Sequence, residues 1–532
     1  MKSLALFFVM LVCAVALASA QDYIGRVDTI GGTTYDWQVG WSAKRTLLNS
    51  PRFGVHAVWL FSADNGGTFP DRNARYNFYD FTTREWSWLD PDYMQSGVNI
   101  ASNRIGFGNI DADGATGAMS ACGYEGAVNP FVMRDAAGGG GIFDGCAGPT
   151  GYTWPLMAIG DDGTYHVMLT EQSGFSGIWY SRVRTWCNWD TPVQLAQADM
   201  DAYNVAASKV SPAVCLVWAD EYGSAFYRES ENRGDTWGEV TGFDPPPAFG
   251  GDTVTKFSLY GLFPFFDAQG RLHVVAAVYP VVHDTAYENP AEIWHWCRAN
   301  QPHWAEIHRA GCAPEHQEAG VGYNAIFADR PSMGQAADGR LYVTWEQFDS
   351  SNVEPQTNLL RAGIWASSSP DNGGSWTPGV LLTERNASSH RFPCVIDRMV
   401  AGGPSEDTIC VLYLMDQVAG FFVYGQGPCT PNPIVCQFIP SPLVGVEETP
   451  NAEVQTPNVR ATVVCGMLFL EAYGTRHTAY GAELLDISGR KALDLHTGAN
   501  DVSRLSPGVY FVRERSAVGG ERSAIRKVVV TR

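Results

Sequence analysis

The chain is short of positive charge: 36 Lys and Arg stand against 56 Asp and Glu, a formal net charge of −20 over 532 residues. A nucleic-acid partner needs a basic surface against its phosphates, so that class is excluded. C-x-x-C and H-E-x-x-H are both absent, which removes the usual sequence signs of a zinc site. Helical periodicity is nearly missing. What recurs instead is short apolar or alternating runs between turns rich in Asp, Gly and Pro. Beyond residue 20 no apolar run reaches the ~20 residues that cross a bilayer, so no transmembrane segment is expected.

The first twenty residues do not belong to the fold. Lys2, the apolar run Leu4–Leu17 and the exit Ala18-Ser19-Ala20 describe a secretory signal peptide cleaved after Ala20. Export fits the cysteine count without defining a framework. Removing Cys13 leaves an odd number, so one thiol stays unpaired or pairs outside the chain. Cys429 and Cys436 flank a Pro-rich loop, while Cys122 with Cys146 and Cys297 with Cys312 bracket excursions. Cys215 sits inside an apolar run and reads as a buried small hydrophobe.

Three octets organise the chain beyond residue 50: Ser62–Phe69, Ser230–Trp237 and Ser369–Trp376. The last reads S-P-D-N-G-G-S-W. A short Asp or Asn (Asp64, Asn232, Asp371) bonds backbone N–H groups ahead of it, and Gly (Gly66, Gly234, Gly373) closes the turn in the left-handed region. Ser62, Ser230 and Ser369 add a local bond, and the terminal Phe69, Trp237 or Trp376 tucks into the apolar layer beneath. Two further phrases repeat: a D/G turn entering a strand (Asp161–Val167, Asp267–Val274, Asp338–Val343), and a short aromatic strand (Gly177–Tyr180, Glu292–Trp294, Gly363–Trp365) leading towards an octet or a decayed one such as Trp186–Trp189 or Trp296–Trp304. Units open near Arg52, Gly97, Tyr152, Ala202, Thr255, Tyr323 and His390. Their spacing of roughly 55 residues is close to that of propeller blades.

The octets resemble the Asp-box (bacterial neuraminidase, BNR) repeat of sialidase-like β-propellers. The resemblance implies an all-β fold: a β-propeller of seven, alternatively six, four-stranded blades over residues 21–440. It also implies that the boxes lie on outer hairpins away from the active mouth, as folding elements.

Residues 441–460 are rich in Pro, Thr, Val and Glu and lack aromatics, as a linker does. Residues 461–532 return to short strands between D-x-x-G and P-G turns, a small Ig-like β-sandwich. Leu484–Lys491, Leu505–Arg513 and the basic-apolar end Arg526–Arg532 resemble the type A C-terminal sorting domain of the type IX secretion system. That likeness implies delivery across an outer membrane, to the surface or beyond, with the secretion machinery as partner.

In sialidases of this fold three arginines hold a carboxylate, beside a Tyr–Glu nucleophile and an Asp acid/base. The opening Pro51-Arg52-Phe53-Gly54 lacks the family's R-I-P phrase. Arg330-Pro331 and Arg391-Phe392-Pro393 recur at blade openings, which reads first as structural. Glu171, Asp220, Glu221 and Glu346 follow the apolar strands of their units. Converging at one mouth they would suit glycoside hydrolysis or hold calcium through oxygen ligands; solvated strand ends are the plainer reading. His56, His166 and His273 share a repeated position, which points to packing. The composition supports no cofactor and no metal. The leading expectation is a secreted or surface module that binds glycan or protein without catalysis. A glycoside hydrolase or lyase and a structural surface-layer component are the alternatives.

Overall fold

The computed structural model describes residues 23–440 except 41, 51–52, 126–128, 175, 199–201, 386 and 399–407. Within 462–531 it leaves aside 466, 471–481, 487–489, 497, 503, 507 and 515–524. The expected signal peptide and linker lie outside the described residues. The chain divides into two compact units, Met1–Glu448 and Thr449–Arg532.

The first unit is all-β among its described residues apart from three single-turn 3-10 segments. It holds seven antiparallel sheets of four to six strands. Each sheet uses the two-residue period of its strands to bury both faces. On the fifth sheet's strand Leu272–Val282, Val274 and Ala276 pack with Cys215 and Val217 of the fourth sheet. Their neighbours Val275 and Ala277 pack with Met333 and Val343 of the sixth. The same division joins first to second, second to third, third to fourth and sixth to seventh. The last cluster unites Leu47 and Val55 of the first sheet with Cys410 and Leu412 of the seventh. The sheets therefore pack in a closed cycle. The strand Arg26–Thr33 completes the seventh sheet by pairing with Asn432–Pro440, so the first and last described strands of this unit share one hydrogen-bonded ladder.

The repeated phrases fall at repeated places. The D/G turns join first to second strands, and the aromatic phrases begin third strands such as Ile178–Thr185 and Ala291–Cys297. The first sheet opens at Leu47 rather than near Arg52, because a short first strand, Leu47–Ser50, precedes that hairpin. The second opens at Ile105 and the sixth at Ala328.

One segment carries no sequence signal. Residues 34–40 and 42–46, between Arg26–Thr33 and Leu47–Ser50, are irregular yet mostly buried. The Ala43 carbonyl accepts from Asn204 Nδ2 at 2.7 Å, and its N–H donates to the Tyr260 carbonyl. Arg45 donates to the carbonyls of Val395 and Met333, both at 2.9 Å. The segment thus touches four sheets, running where their first strands meet. Its backbone polar groups are satisfied by those sheets, as burial requires.

Two octets close the same way. Ser230 Oγ and Ser369 Oγ accept from Gly234 N and Gly373 N at 2.8 and 2.7 Å, and Asn232 and Asp371 accept from the N–H four residues on. Both join third to fourth strands. A Cβ on Gly373, at φ +81°, would lie 2.0 Å from the His295 ring; one on Gly234 would lie 2.0 Å from the Tyr180 hydroxyl. Trp237 and Trp376 are half-buried rather than tucked under their own hairpins. They meet Tyr180 edge-on at 4.8 Å and His295 at 5.4 Å, each on the preceding sheet. The boxes therefore tie neighbouring sheets together.

The first octet departs from the expectation. Ser62–Phe69 joins a second to a third strand, Gly54–Phe61 to Asn73–Asp80, and so lies at the opposite end of its sheet. Ser62 Oγ donates to Asp71 instead of closing on Gly66, and positive φ falls on Gly67 and Phe69. Turn chemistry alone made the octet; strand order decided its side.

The histidines pack within sheets, as their repetition implied. His56 Nδ1 meets the Tyr76 hydroxyl at 2.7 Å, His166 Nδ1 the Tyr180 hydroxyl at 2.6 Å, and His273 Nδ1 meets His295 Nε2 at 2.9 Å. The one disulfide among the described residues joins Cys146 to Cys187, across the second and third sheets. Cys122, Cys297, Cys312, Cys429 and Cys436 are free, and Cys146 is taken by Cys187, so the bracketed pairings are corrected. Cys215 is fully buried, as expected.

The second unit has a five-stranded sheet and a two-stranded one. The terminal strand Ile525–Thr531 pairs antiparallel with Gly508–Glu514 and parallel with Thr462–Cys465, so this sheet is mixed rather than purely antiparallel.

Candidate functional site

First strands begin, and second strands end, at one end of the ring; the site lies there. Three first strands break register at a proline: Thr153/Leu156, Asp329/Ser332 and Arg391/Cys394. The residue before each proline, Trp154, Arg330 and Phe392, has φ of 51°, 52° and 59°. A non-glycine residue there, and one preceding proline, is disfavoured by sterics, so packing holds it. Sequence reasoning misses Trp154-Pro155; its signal is the same residue-Pro pair near a unit opening.

Arg330 and Arg391 are structural at this place. Both are at most 2% exposed, and both pair with Glu346, which is 0% exposed. Arg330 Nη1 lies 2.5 Å from Glu346 Oε1, Arg391 Nη2 lies 3.0 Å from the same oxygen, and Phe392 N donates to Oε2 at 2.8 Å. Burial alone would raise the Glu346 carboxyl, but Arg391 and Arg330 hold it down at about 2. Glu346 also lies inside a strand that continues to Glu354, which corrects its placing at a strand end.

The other carboxylates do not join it in one cluster. Glu171 ends its strand half-buried opposite Tyr152. Asp220 accepts from Tyr222 N and Ser224 N in a hairpin turn, and Glu221 is exposed. Among the described residues no group of three His, Cys, Asp or Glu is placed to hold a metal ion. Glu346 is taken by two arginines and Asp220 by its own turn, and among the described residues these four carboxylates form no metal-holding group, so a calcium-binding mouth built from them is not what the structure brings together.

What converges instead is aromatic. Tyr323 and Tyr424, each 42% exposed, stack with centroids 4.0 Å apart. Trp37, from the buried segment, meets Tyr424 edge-on at 5.0 Å, Phe421 at 4.7 Å and Phe392 at 5.9 Å. Asp36 beside it accepts from Phe422 N, and burial pushes its carboxyl up to about 6. Burial likewise raises Asp329, which Ser258 bonds at 3.0 Å, to about 6. Beneath the Tyr424 ring lies a cavity of about 160 Å³ walled by Tyr35, Trp37, Phe107, Trp154 and Tyr203, with Ser42 and Lys44 as its polar groups. Such a wall, apolar with few polar groups, is the usual form of a small-molecule pocket. A larger hollow, about 280 Å³, includes Asp111, Lys209, Asp397 and Arg398 at the other end of the ring. There Lys209 is engaged by Asp111 and two carbonyls, and Arg398 by the Phe266 carbonyl.

No family model matches the chain, and no curated protein matches it. Among solved structures, a PL25 ulvan lyase bound to a GlcA–Rha3S saccharide is 11% identical, covering 74% of this chain and 94% of its own, with a TM-score of 0.46. An α-L-arabinanase of Penicillium chrysogenum with arabinobiose is 11% identical over 60% and 89%, at a TM-score of 0.35. The SapL1 lectin with α-methyl fucoside is 11% identical over 64% and 96%, also at 0.35. The cycle of seven sheets stands independently of these distant likenesses.

Proposed function

We propose that residues 21–440 are a seven-bladed β-propeller that binds a carbohydrate at its aromatic mouth without turning it over. The observation that carries this reading is the placing of tyrosine. Tyr222, Tyr287, Tyr323 and Tyr424, exposed by 42–70%, all lie on connections at the end that holds the Trp37 cavity. Tyrosine presents a flat apolar face and a hydroxyl, and so serves wet recognition surfaces at low entropic cost. Binding without turnover is favoured because Glu346, the best-oriented carboxylate, spends both oxygens on Arg330, Arg391 and Phe392 N. For the same reason sialoside hydrolysis is not expected: neither guanidinium is left for a ligand carboxylate.

Delivery belongs to the same proposal. A signal peptide in front and a type IX sorting domain at residues 461–532 would place the module on the outer surface or outside the cell. Asp36 and Asp329, buried carboxyls raised to about 6, keep a hydrolase or lyase as the second reading, since such perturbed acids are what proton transfer uses. A glycan array followed by calorimetry on the purified chain tests the first: Tyr323→Ala and Tyr424→Ala should each weaken binding about tenfold at unchanged melting temperature, the loss of one stacked ring. Release of new reducing ends or unsaturated products from the bound glycan would replace it with the second. The absence of any saturable glycan ligand would leave a surface-layer component.

A further inference from the structure

The cavity under Tyr424 carries a second signature. Gly40, Ser42 and Lys44 of the buried segment all line the same space. Ser42 is 2% exposed, yet its hydroxyl has no hydrogen-bond partner. A buried hydroxyl left unpaired costs free energy unless something arrives to meet it. Lys44, 8% exposed, stands over the Phe107 ring at 5.3 Å. Behind the wall Arg72, 7% exposed, donates to the hydroxyls of Tyr35 at 3.3 Å and Tyr124 at 3.1 Å. Among the described residues no carboxylate pairs with Arg72 or with neighbouring Arg104, and none lines the cavity. In a chain of net charge −20 the lining offers an ammonium and no carboxylate, and an apolar wall strengthens its field.

We infer that this cavity is a subsite for an acidic sugar, a ring bearing a carboxylate or sulfate. Its anionic group would meet the Lys44 ammonium and the Ser42 hydroxyl, while its ring faces Trp37, Trp154 and Tyr203. The size suits a ring: roughly 150 Å³ of apolar cavity holds benzene. Tyr424 belongs both to the exposed stack and to the cavity wall, so a chain stacked on the first would end in the second. Gly40 is what leaves the room. A Cβ there would meet Lys44 Nζ at 3.5 Å and Phe107 at 3.8 Å, without backbone strain, so a larger side chain fills the cavity instead of breaking the fold.

The inference rests on the carbohydrate-binding reading and deepens it. Calorimetry on the purified full chain would compare an oligoglucuronate, a sulfated oligoglucoside and the neutral oligoglucoside of equal length. One or both acidic probes should bind about tenfold or more tightly than the neutral one, the effect of one charge-assisted contact, and the gap should narrow in high salt. Lys44→Met should erase the preference. Ser42→Ala should lower acidic affinity with no loss of melting temperature, because that hydroxyl holds nothing in the free protein. Gly40→Leu should abolish acidic binding in a folded chain. Equal affinities for acidic and neutral probes, or a preference that survives both Ser42→Ala and Gly40→Leu, would overturn the subsite. If neutral probes still bind and Tyr323→Ala removes them, the carbohydrate reading survives its failure.

Discussion

Replacing Glu346 by Gln separates a structural carboxylate from a catalytic one. The change keeps shape and leaves an oxygen for Phe392 N, but strips two buried guanidiniums of their counter-charge. Arg330 and Arg391 are 1% and 2% exposed, so water cannot replace the lost oxygen. Breaking a buried ion pair by removing one member costs about 3–5 kcal/mol. At about 2.1 cal/mol/K per residue, a ring of about 420 residues has an unfolding entropy near 0.9 kcal/mol/K, so the melting temperature should fall by roughly 3–6 °C. Differential scanning calorimetry reads this directly. The sign with pH comes from the low carboxyl. Its value of about 2 in the folded state lies below the ordinary 4.5, so its stabilisation is complete above pH 4.5 and lost as pH falls towards 2. The difference between wild type and Glu346→Gln should therefore close between those limits. Replacing Arg330, Glu346 and Arg391 together by Met should recover most of the loss, since the desolvation of all three charges vanishes with them. A Glu346→Gln chain that melts within 1 °C of wild type at pH 7, or a deficit constant down to pH 2.5, would refute the reasoning.

Gly373→Ala should cost about 2 kcal/mol or more, since it puts a side chain at φ +81° and against the His295 ring, whereas Gly374→Ala next door should fall within about 0.5 kcal/mol; urea unfolding compares them. Burial holds His166 down at about 3, below its unfolded value, so its neutral form stabilises fully above pH 6.5 and that contribution is lost as pH falls through 6.5 towards 3. His166→Gln should accordingly be less stable than wild type at pH 7.5, and the gap should shrink on titration to pH 4.5; parallel curves would contradict the assignment. Truncation after Pro440 should leave the main thermal transition within a few degrees, because the two compact units have separate cores; collapse of that transition would show a shared core.

Sequence alone determined the class of this fold. The D/G turns, aromatic phrases and octets are local chemistry, in which a short Asp and a left-handed Gly close a hairpin wherever the chain runs. Strand after strand could therefore be read from Gly97 onward with no knowledge of its neighbours. The repeated place of His56, His166 and His273 also announced packing, since a catalytic group is not needed in several copies. The same locality set the limit. Ser62–Phe69 carries the octet's chemistry yet lies on the opposite end from its two relatives, because the short strand Leu47–Ser50 ahead of it makes this hairpin join a second to a third strand. Glu171, Asp220 and Glu346 all follow apolar runs in the sequence, but burial and the guanidiniums of Arg330 and Arg391 took Glu346 out of reach of water. Residues 34–40 and 42–46 gave no periodicity at all. They are ordered by carbonyls and side chains of four sheets more than 150 positions distant, such as Asn204 on Ala43. The aromatic mouth and its basic cavity exist only once those sheets close into a ring. Long-range packing, which no short window of sequence encodes, made the site.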